Sequence, residues 1–424
     1  MEPPAQVGVE EAVAALRSLV GRHETLRTSF RFPAPVPTYL MRQGMVRQHV
    51  SDVGEFSVEV EDAAADDLDA LAQRTQRRIC AVPFDIRLSV AMRVVLLCRG
   101  GNVRRVVFGV SHQAVDQWGV GILRDELRRL TGPTAGDHLP AARQPVDQAA
   151  VEGTARYRER SRKGTRYLRD VLGGTPAARA LPDAAAGAGA RSAGGEGAGS
   201  RITSAAVSES VRRISSALEI TPSLCLMGCV ALLVAFHQQS AGTLLKTTYA
   251  RRHSFGSDAY VAPHCLNALV PFSVDASQSV REYFATGYRA ALAAFRMTDY
   301  DPDELGRIEG SVPGGTDRDG FCYFNYLPVA GESRAIAVRS GSDPGALAVT
   351  TRVSADRPVL LPARTLAQVV CRAVGPAEAV IQVNAVDGLV PGGPSAFLRR
   401  LESLMVRACD VTARVADVLA GIRR

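Results

Sequence analysis

An alanine- and glycine-rich stretch divides this chain of 424 residues and limits what it can fold into. From Gly173 to Ser200 the sequence is dominated by these two residue types, with the run AAAGAG at positions 184–189. Such a stretch buries too little apolar surface to offset its ordering entropy. We therefore predict a mobile linker over 173–200, between an N-terminal subdomain at 1–172 and a C-terminal subdomain at 201–424.

Both halves combine helical and strand patterns, so the predicted fold class is α/β. Apolar residues recur at helical spacing, and Thr221 followed by Pro222 is a helix start. The predicted helices lie at 9–20, 66–80, 120–130, 152–171, 208–218, 222–239, 279–295 and 395–409. The predicted strands lie at 104–110, 244–249, 266–274, 321–327 and 379–386. A segment rich in Gly, Pro and Asp at 299–319 predicts an exposed loop.

The composition narrows the class of function. Hydrophobic residues make up 46% and charged residues 22%, which is typical of a soluble globular protein. The net charge of +7 favours an acidic partner, but the basic residues are scattered, which argues against nucleic acid. No apolar run is long enough for a membrane span, and no signal peptide is evident, so we expect a cytoplasmic protein. Eight cysteines without a CxxC pair predict no metal site.

One segment combines a histidine and a carboxylate in a context suited to catalysis. The valine-rich strand ends just before Ser111 and His112, and a helix is predicted to begin after Asp116. A strand end holds a side chain rigidly, and an imidazole can accept a proton near neutral pH. An HxxxD pattern alone is weak evidence, because a histidine at a strand end is more often part of the hydrogen-bonded structure.

Neighbouring segments resemble the motifs of the condensation domains of nonribosomal peptide synthetases. The run RHETLRTSF at 22–30 resembles the RHExLRTxF motif, and PFDI at 83–86 with Arg93 resembles PFDLxxxPLLR. The run SHQAVDQW at 111–118 resembles the signature HHxxxDGW. Further on, the arginine pair at 251–252 is similar to the end of a family helix-then-strand stretch, and LNALV at 266–270 resembles FVNTL.

The resemblance implies a role for each matching residue. His112 matches the histidine of the acyl-transfer site, Asp116 the aspartate that holds the loop, and Arg93 its arginine partner. Asn267 matches an asparagine lining the second half of the tunnel. The remaining candidate tunnel residues surround the histidine: Ser111, Gln117, Trp118 and Gly119. Two of these depart from the signature, since Ser111 replaces its first histidine and Gln117 its glycine.

The resemblance also implies an architecture and a reaction. Two chloramphenicol-acetyltransferase-like subdomains would form a V-shaped pseudo-dimer with a central tunnel. The acyl donor would be a thioester on the phosphopantetheine arm of an acidic carrier protein, or on coenzyme A. The acceptor would be a small-molecule amine or alcohol. No bound cofactor and no metal is expected, and because no carrier segment is visible, the enzyme would be free-standing and meet its carrier in trans.

Other interpretations stay open. The departures at positions 111 and 117 fit a degenerate domain that recruits tailoring enzymes or carrier proteins, and an epimerase-type relative is a third option. His264 beside Cys265 resembles a base beside a nucleophile, although adjacent strand residues point to opposite faces. We expect His237 to be a core or cap residue and Trp118 to serve in packing.

Overall fold

The computed structural model describes most of the chain as two compact units. The first unit comprises Met1–Arg158 and Ala250–Cys265, and the second comprises Glu159–Tyr249 and Leu266–Arg424. The described residues are 1–3, 6–31, 46–52, 56–63, 67–87, 90–133, 139–174, 195–254, 260–311, 321–327, 343–361, 365–375, 377–386 and 389–422.

The first unit has two small sheets and four complete helices in its described part. Its elements are α1 (Val9–Arg22), β1 (Thr28–Arg31), β2 (Arg47–Val50), β3 (Val58–Asp62), α2 (Leu68–Ala81), β4 (Met92–Arg99), β5 (Asn102–Val110), α3 (Gln117–Leu130) and α4 (Pro145–Glu152). β1 and β2 pair antiparallel. β4 pairs with β3 in parallel and with β5 antiparallel.

The main core of the first unit forms because α1 and α3 are amphipathic. α1 buries Leu16 and Leu19, and α3 buries Leu123 and Leu127, each pair lying three or four residues apart on one helical face. These side chains join the fully buried Leu96 of β4 in one apolar cluster. This packing holds β5 and α3, the two elements that flank His112, in fixed positions.

The second unit is built on a large mixed sheet. α5 (Ala155–Gly174) begins in the first unit and continues into the second, followed by β6 (Gly195–Ser204), α6 (Ala205–Leu218), α7 (Pro222–His237), β7 (Gly242–Ala250), β8 (Cys265–Ser273), α8 (Val280–Arg296), α9 (Pro302–Ser311), β9 (Phe321–Tyr326), α10 (Pro344–Leu347), β10 (Arg352–Val353), β11 (Arg357–Leu361), β12 (Thr365–Val374), β13 (Ala379–Val386), α11 (Gly393–Ala408) and α12 (Val415–Ala420). The described strands form one eight-stranded sheet in the order β10-β6-β13-β12-β9-β7-β8, with β11 paired to β6. The prediction of a mixed α/β fold is therefore confirmed.

α7 forms the centre of the second unit because it is apolar on every side. The Thr221 hydroxyl accepts a hydrogen bond from the Leu224 amide at 3.3 Å, as predicted for the helix start. A methyl group on Gly228 would lie 2.5 Å from the Phe284 ring, so this glycine is what lets α8 approach closely. No single described helix is long and apolar enough to cross a membrane. Only α6 and α7 together reach that length, and they meet at a bend of 105°.

Two predictions in the middle of the chain need correction. The predicted linker is wrong at both ends, because α5 extends to Gly174 and β6 begins at Gly195. Glycine-rich composition predicts mobility here, but Gly197 and Gly199 lie inside β6. Gly197 packs against the Ala385 carbonyl of β13, where a side chain would not fit. Positions 175–194 lie outside the described residues.

The predicted boundaries differ from the structure elsewhere as well. The first unit ends at Arg158 rather than at 172 and takes in 250–265 from later in the chain. The exposed loop predicted at 299–319 contains α9, whose Leu305 and Ile308 are buried. Positions 312–319 of that loop lie outside the described residues. The helix predicted at 152–171 is interrupted at Gly153.

Candidate active site

A tight turn between β5 and α3 presents His112. The amide of Ser111 donates to the Ala91 carbonyl at 2.8 Å, which anchors the start of the turn to the residue before β4. The amides of Ala114 and Val115 both donate back to the Ser111 carbonyl, at 2.9 and 3.2 Å. Ser111, Ala114 and Val115 are buried, whereas His112 is exposed. The turn therefore directs the imidazole outward from a rigid base.

The ring of His112 is fixed through one nitrogen. Its Nδ1 lies 3.1 Å from the carbonyl oxygen of Val115. A carbonyl can only accept, so in the neutral imidazole Nδ1 carries the proton and Nε2 has the free lone pair. Nε2 has no hydrogen-bond partner within the described residues. This arrangement suits a group that accepts a hydrogen bond or a proton from a bound molecule.

Asp116 is buried, and its carboxylate fixes the position of the turn through hydrogen bonds. It caps α3 by accepting a hydrogen bond from the Gly119 amide at 2.8 Å. The same oxygen accepts from Nη2 of Arg252 at 2.6 Å, and the other oxygen accepts from the His264 amide at 3.0 Å. The side chains of Asp116 and Arg252 are only 6% and 4% exposed. A buried carboxylate requires such saturation of its charge and lone pairs. Asp116 thus binds the turn to the 250–265 segment and has no free oxygen for substrate chemistry.

Arg252, rather than Arg93, is the partner of Asp116. Besides the carboxylate, its guanidinium donates to the carbonyls of Tyr260 and Ala262, the latter at 3.1 Å. The guanidinium thus pairs with Asp116 and with two backbone carbonyls, all within the first unit. The arginine pair at 251–252 was evident in the sequence, but nothing in the sequence placed it beside Asp116, since 136 positions separate the two residues.

The predicted pairing of Arg93 with Asp116 is wrong. Arg93 lies on β4 and donates to the carbonyls of Ile79 at 2.8 Å, Val82 at 2.5 Å and Pro83 at 2.8 Å. Its guanidinium also stacks 4.1 Å from the centre of the Phe84 ring. A cation at the end of a helix satisfies carbonyls that have no partner inside the helix. Arg93 therefore stabilises the end of α2 and the turn that follows it.

The other predicted tunnel residues fall into two groups. Ser111 and Gly119 are buried, and a methyl group on Gly119 would lie 2.7 Å from Val115 Cγ1, so this glycine serves close packing. Gln117 and Trp118 are exposed in the first turn of α3, beside the His112 turn. Trp118 is 54% exposed, which contradicts the predicted packing role. Of this set, only Gln117 and Trp118 share the exposed surface with the histidine.

Asn267 belongs to the second unit. It lies on β8, and its backbone carbonyl accepts a hydrogen bond from the Tyr300 hydroxyl at 2.7 Å. Its predicted place in a tunnel with His112 stays a prediction. The residues that the structure brings together are those of the turn and the 250–265 segment. In the described residues, no group of three or more His, Cys, Asp and Glu side chains is arranged to hold a metal ion.

The alternative nucleophile, Cys265, lies in an unfavourable electrostatic environment. Burial raises the pKa of its thiol, and the nearby negative charge of Asp116 raises that pKa further. A thiol reacts as the thiolate, so a raised pKa lowers its reactivity at neutral pH. Its neighbour His264 is buried, with its ring edge-on to Tyr260 at 5.2 Å between centroids. This pair is better explained by packing than by nucleophilic catalysis.

Residues 6–306 match the family model of the condensation domain. The chain belongs to the condensation-domain family. The resemblance to condensation domains that was inferred from the motifs at 22–30, 83–93 and 111–118 is therefore confirmed. The match covers both the turn that carries His112 and the 250–265 segment that locks it.

Curated relatives of this condensation domain are synthases and synthetases that are many times its length. Surfactin synthase subunit 1 of Bacillus subtilis (strain 168) is 26% identical over 166 residues, which are 39% of this chain and 4% of that protein. Chondramide synthase cmdD of Chondromyces crocatus is 31% identical over 140 residues, which are 32% of this chain and 3% of that protein. The matched parts are thus a few per cent of these relatives, whose whole activities cannot be transferred to the chain.

Solved structures show the same fold over nearly the whole length of this condensation domain. SgcC5 from Streptomyces globisporus has a TM-score of 0.69 at 17% identity, covering 96% of this chain and 90% of that one. The X-domain from teicoplanin biosynthesis has a TM-score of 0.69 at 18% identity, covering 97% and 90%. The X-domain in its complex with OxyB gives 0.66 at 19% identity, covering 97% and 88%. At these identities the likeness establishes the fold, and the chemistry must be argued from the site.

Proposed function

We propose that this condensation domain transfers an acyl or aminoacyl group from a carrier-protein thioester to an amine or hydroxyl acceptor, in the biosynthesis of a natural product. The observation that carries the proposal is the state of His112. Its Nδ1 is held by the Val115 carbonyl, and its Nε2 is exposed with a free lone pair. A ring nitrogen placed in this way can accept a hydrogen bond or a proton from a bound substrate.

The reaction needs little from the protein beyond positioning and proton handling. The acceptor nitrogen or oxygen attacks the thioester carbonyl, so a C–N or C–O bond forms while the C–S bond breaks. The acceptor loses one proton, and the sulfur of the donor leaves as a thiol. Nε2 of His112 accepts the hydrogen bond of the attacking group and so orients its lone pair or takes its proton. The thioester, on a phosphopantetheine arm or on coenzyme A, supplies the activation.

Asp116 and Arg252 support this function from behind the turn. Both are buried and hydrogen-bonded to protein groups, so they hold the backbone of the turn without exchanging protons with the substrate. A rigid turn matters because small displacements of a catalytic group reduce the rate steeply. The proposed catalytic role therefore rests on His112 alone, with the buried pair as its positioning device.

The test is acyl transfer with and without the imidazole. The purified domain is incubated with a separately supplied loaded carrier protein and candidate amines, and the acyl group is followed by mass spectrometry. His112→Ala is expected to lower the rate by more than about tenfold, since general acid–base help is typically worth 10²–10⁴-fold. His49→Ala removes an exposed histidine from β2 and is the matched control, expected to leave the rate unchanged. A rate that persists undiminished in His112→Ala would remove the residue from the mechanism.

A second candidate function is recruitment without acyl transfer. It is favoured by the likeness to the X-domain, which was solved in a complex with OxyB, and by the two departures from the signature at Ser111 and Gln117. This function predicts no turnover by the wild type with any donor and acceptor, together with saturable binding to a second protein. The same mass-spectrometric assay, combined with a binding measurement on carrier and tailoring proteins, distinguishes the two candidates.

A further inference from the structure

The outward side of helix α8 carries a row of three exposed arginines. Arg281, Arg289 and Arg296 are separated by eight and seven residues, each close to two helical turns, so they lie on one side of the helix. The opposite side buries Tyr283 and Phe284 in the main apolar cluster of the second unit. At 1.5 Å per residue, the row is about 22 Å long.

The arginines of this row have no carboxylate partner in the described part of the chain. By contrast, exposed arginines of the same unit form ion pairs at positions 162, 169, 307 and 352. The acidic residue of α8 is Glu282, whose carboxylate accepts from the amide and from the hydroxyl of Ser279, both at 2.8 Å. Three arginines against one glutamate leave the helix with an excess of two positive charges.

The surface between the arginines suits contact with another protein. Tyr288 is 38% exposed although it is aromatic, and Ala285 and Ala293 are exposed on the same helix. Tyrosine and arginine are enriched in protein interfaces and in their hot spots. Alanine side chains are short, so a partner helix can approach the backbone of α8 closely. We call the residues Arg281, Tyr288, Arg289 and Arg296 the arginine face.

We propose that the arginine face docks an acidic helix of the carrier protein that delivers the acyl group. Docking here rests on the proposed function, in which a carrier must reach the domain. Charge complementarity favours an acidic partner, and carboxylates at the same helical spacing can meet all three arginines along the row. The net charge of +7 disfavours a second copy of this chain as the occupant. Tyr288 and the exposed alanines favour a protein over nucleic acid or a lipid surface, because they offer apolar area between the charges.

A charged peptide tests the surface directly. The probe is a fluorescein-labelled helical peptide with three glutamates at the spacing of the arginine row, and its counterpart with three glutamines is the reference. Fluorescence anisotropy on the full chain is expected to show saturable binding of the glutamate peptide and at least about fivefold weaker binding of the glutamine peptide. Arg289→Glu combined with Arg296→Glu should weaken glutamate-peptide binding by about fivefold or more, because two attractive contacts become repulsive. At about 1 M salt this difference should shrink, since the Debye length is then about 3 Å.

Arg352→Glu combined with Arg399→Glu is the matched control. It changes the net charge of the second unit equally, at exposed positions on β10 and α11, and should leave peptide binding within about twofold of the wild type. Tyr288→Ala keeps every charge and should weaken binding by about fivefold, the usual cost of truncating an interface hot spot.

The carrier protein itself decides the proposal. Titration calorimetry with the carrier of the transfer assay should give at least about fivefold weaker binding to the double variant at 289 and 296 than to the wild type, and the KM for the loaded carrier should rise to a similar extent. If the wild type shows no acyl transfer, the proposed function fails, and the calorimetric comparison still tests the docking surface. Equal carrier binding by wild type and double variant would overturn the proposal, and so would a loss confined to the binding of RNA or of anionic lipid vesicles.

Discussion

The clearest test of the structure is the removal of the carboxylate at Asp116. Asp116→Ala leaves Arg252 buried without its counter-ion and leaves the amides of Gly119 and His264 without an acceptor. Breaking a buried ion pair by removing one partner typically costs about 3–5 kcal/mol. The lost helix cap belongs to the same network, so its contribution is not added separately. We expect a loss of about 3–5 kcal/mol in the free energy of unfolding.

The measurement is urea denaturation followed by circular dichroism, with calorimetry for the melting temperature. A loss of that size corresponds to a fall of roughly 6–20 °C in a unit of this length. Asp125→Ala is the matched control, because Asp125 lies on the same helix, is 66% exposed and, among the described residues, pairs with the partly exposed Arg124 and Arg128. Its removal should change the free energy of unfolding by less than about 0.5 kcal/mol.

A double-mutant cycle decides which arginine is the partner. Asp116→Ala combined with Arg252→Met should show a coupling energy above about 1 kcal/mol, because each change removes the same contact. Asp116→Ala combined with Arg93→Met should be additive, since the partners of Arg93 among the described residues are backbone carbonyls and the Phe84 ring. Coupling to Arg93 without coupling to Arg252, or a stability of Asp116→Ala equal to that of the control, would refute the reasoning.

Two further predictions concern pH and packing. The pKa of His237 is lowered to about 4 in the fold, so below about pH 6.5 the unfolded chain takes up a proton that the folded chain does not. The free energy of unfolding, measured by urea denaturation, should therefore fall as the pH drops from about 6.5 to about 4. The fall between pH 7 and pH 5 should be smaller in His237→Phe than in the wild type, and an equal fall in both proteins would contradict this prediction. Gly119→Ala should cost about 1–3 kcal/mol because its methyl group meets Val115. Gly121→Ala, with no atom within 4 Å of the added carbon, should be neutral or stabilising in the same thermal scan.

Local sequence rules predicted the elements whose patterns are decided locally. The start of α7 at Thr221 and Pro222 follows from capping and from the fixed φ of proline, and β13 lies at the predicted positions. α8 begins after Ser279, whose hydroxyl accepts from the Glu282 amide at 3.2 Å, as a capping box requires. Such features need no knowledge of distant parts of the chain, so a sequence is enough to find them.

Sequence patterns did not predict the features that are decided by tertiary packing. α9 has the Gly, Pro and Asp content of a loop, but Leu305 and Ile308 are three apart and bury one face against Leu168 of α5. β6 has the composition of a linker, but its glycines are selected by the close approach of β13. In each case a contact with a distant segment overrides the local preference, and composition alone does not identify that segment.

The same limit explains how much of the candidate site could be predicted. The motif order located the turn and its exposed histidine, and burial of a carboxylate required a cation somewhere. The identity of that cation depends on which segment the fold brings behind the turn. Of the 50 lysines and arginines, the motif alignment selected Arg93, which is near in sequence, whereas the fold selected Arg252. His264 contributes through its backbone amide, which no side-chain pattern reveals.

The two departures from the signature carry different weight once their positions are known. Ser111 is buried, and its hydroxyl accepts from the Gln113 amide at 3.3 Å while its backbone anchors the turn. A serine performs these tasks with its backbone and a single oxygen, so the missing first histidine removes nothing from the exposed surface around His112. Gln117 is exposed in the first turn of α3, beside the same surface. Position 117 therefore presents a long amide side chain to solvent where the signature has glycine. Under the proposed function, the departure at 111 is therefore compatible with acyl transfer, and the one at 117 is the position at which we expect the choice of acceptor to be affected.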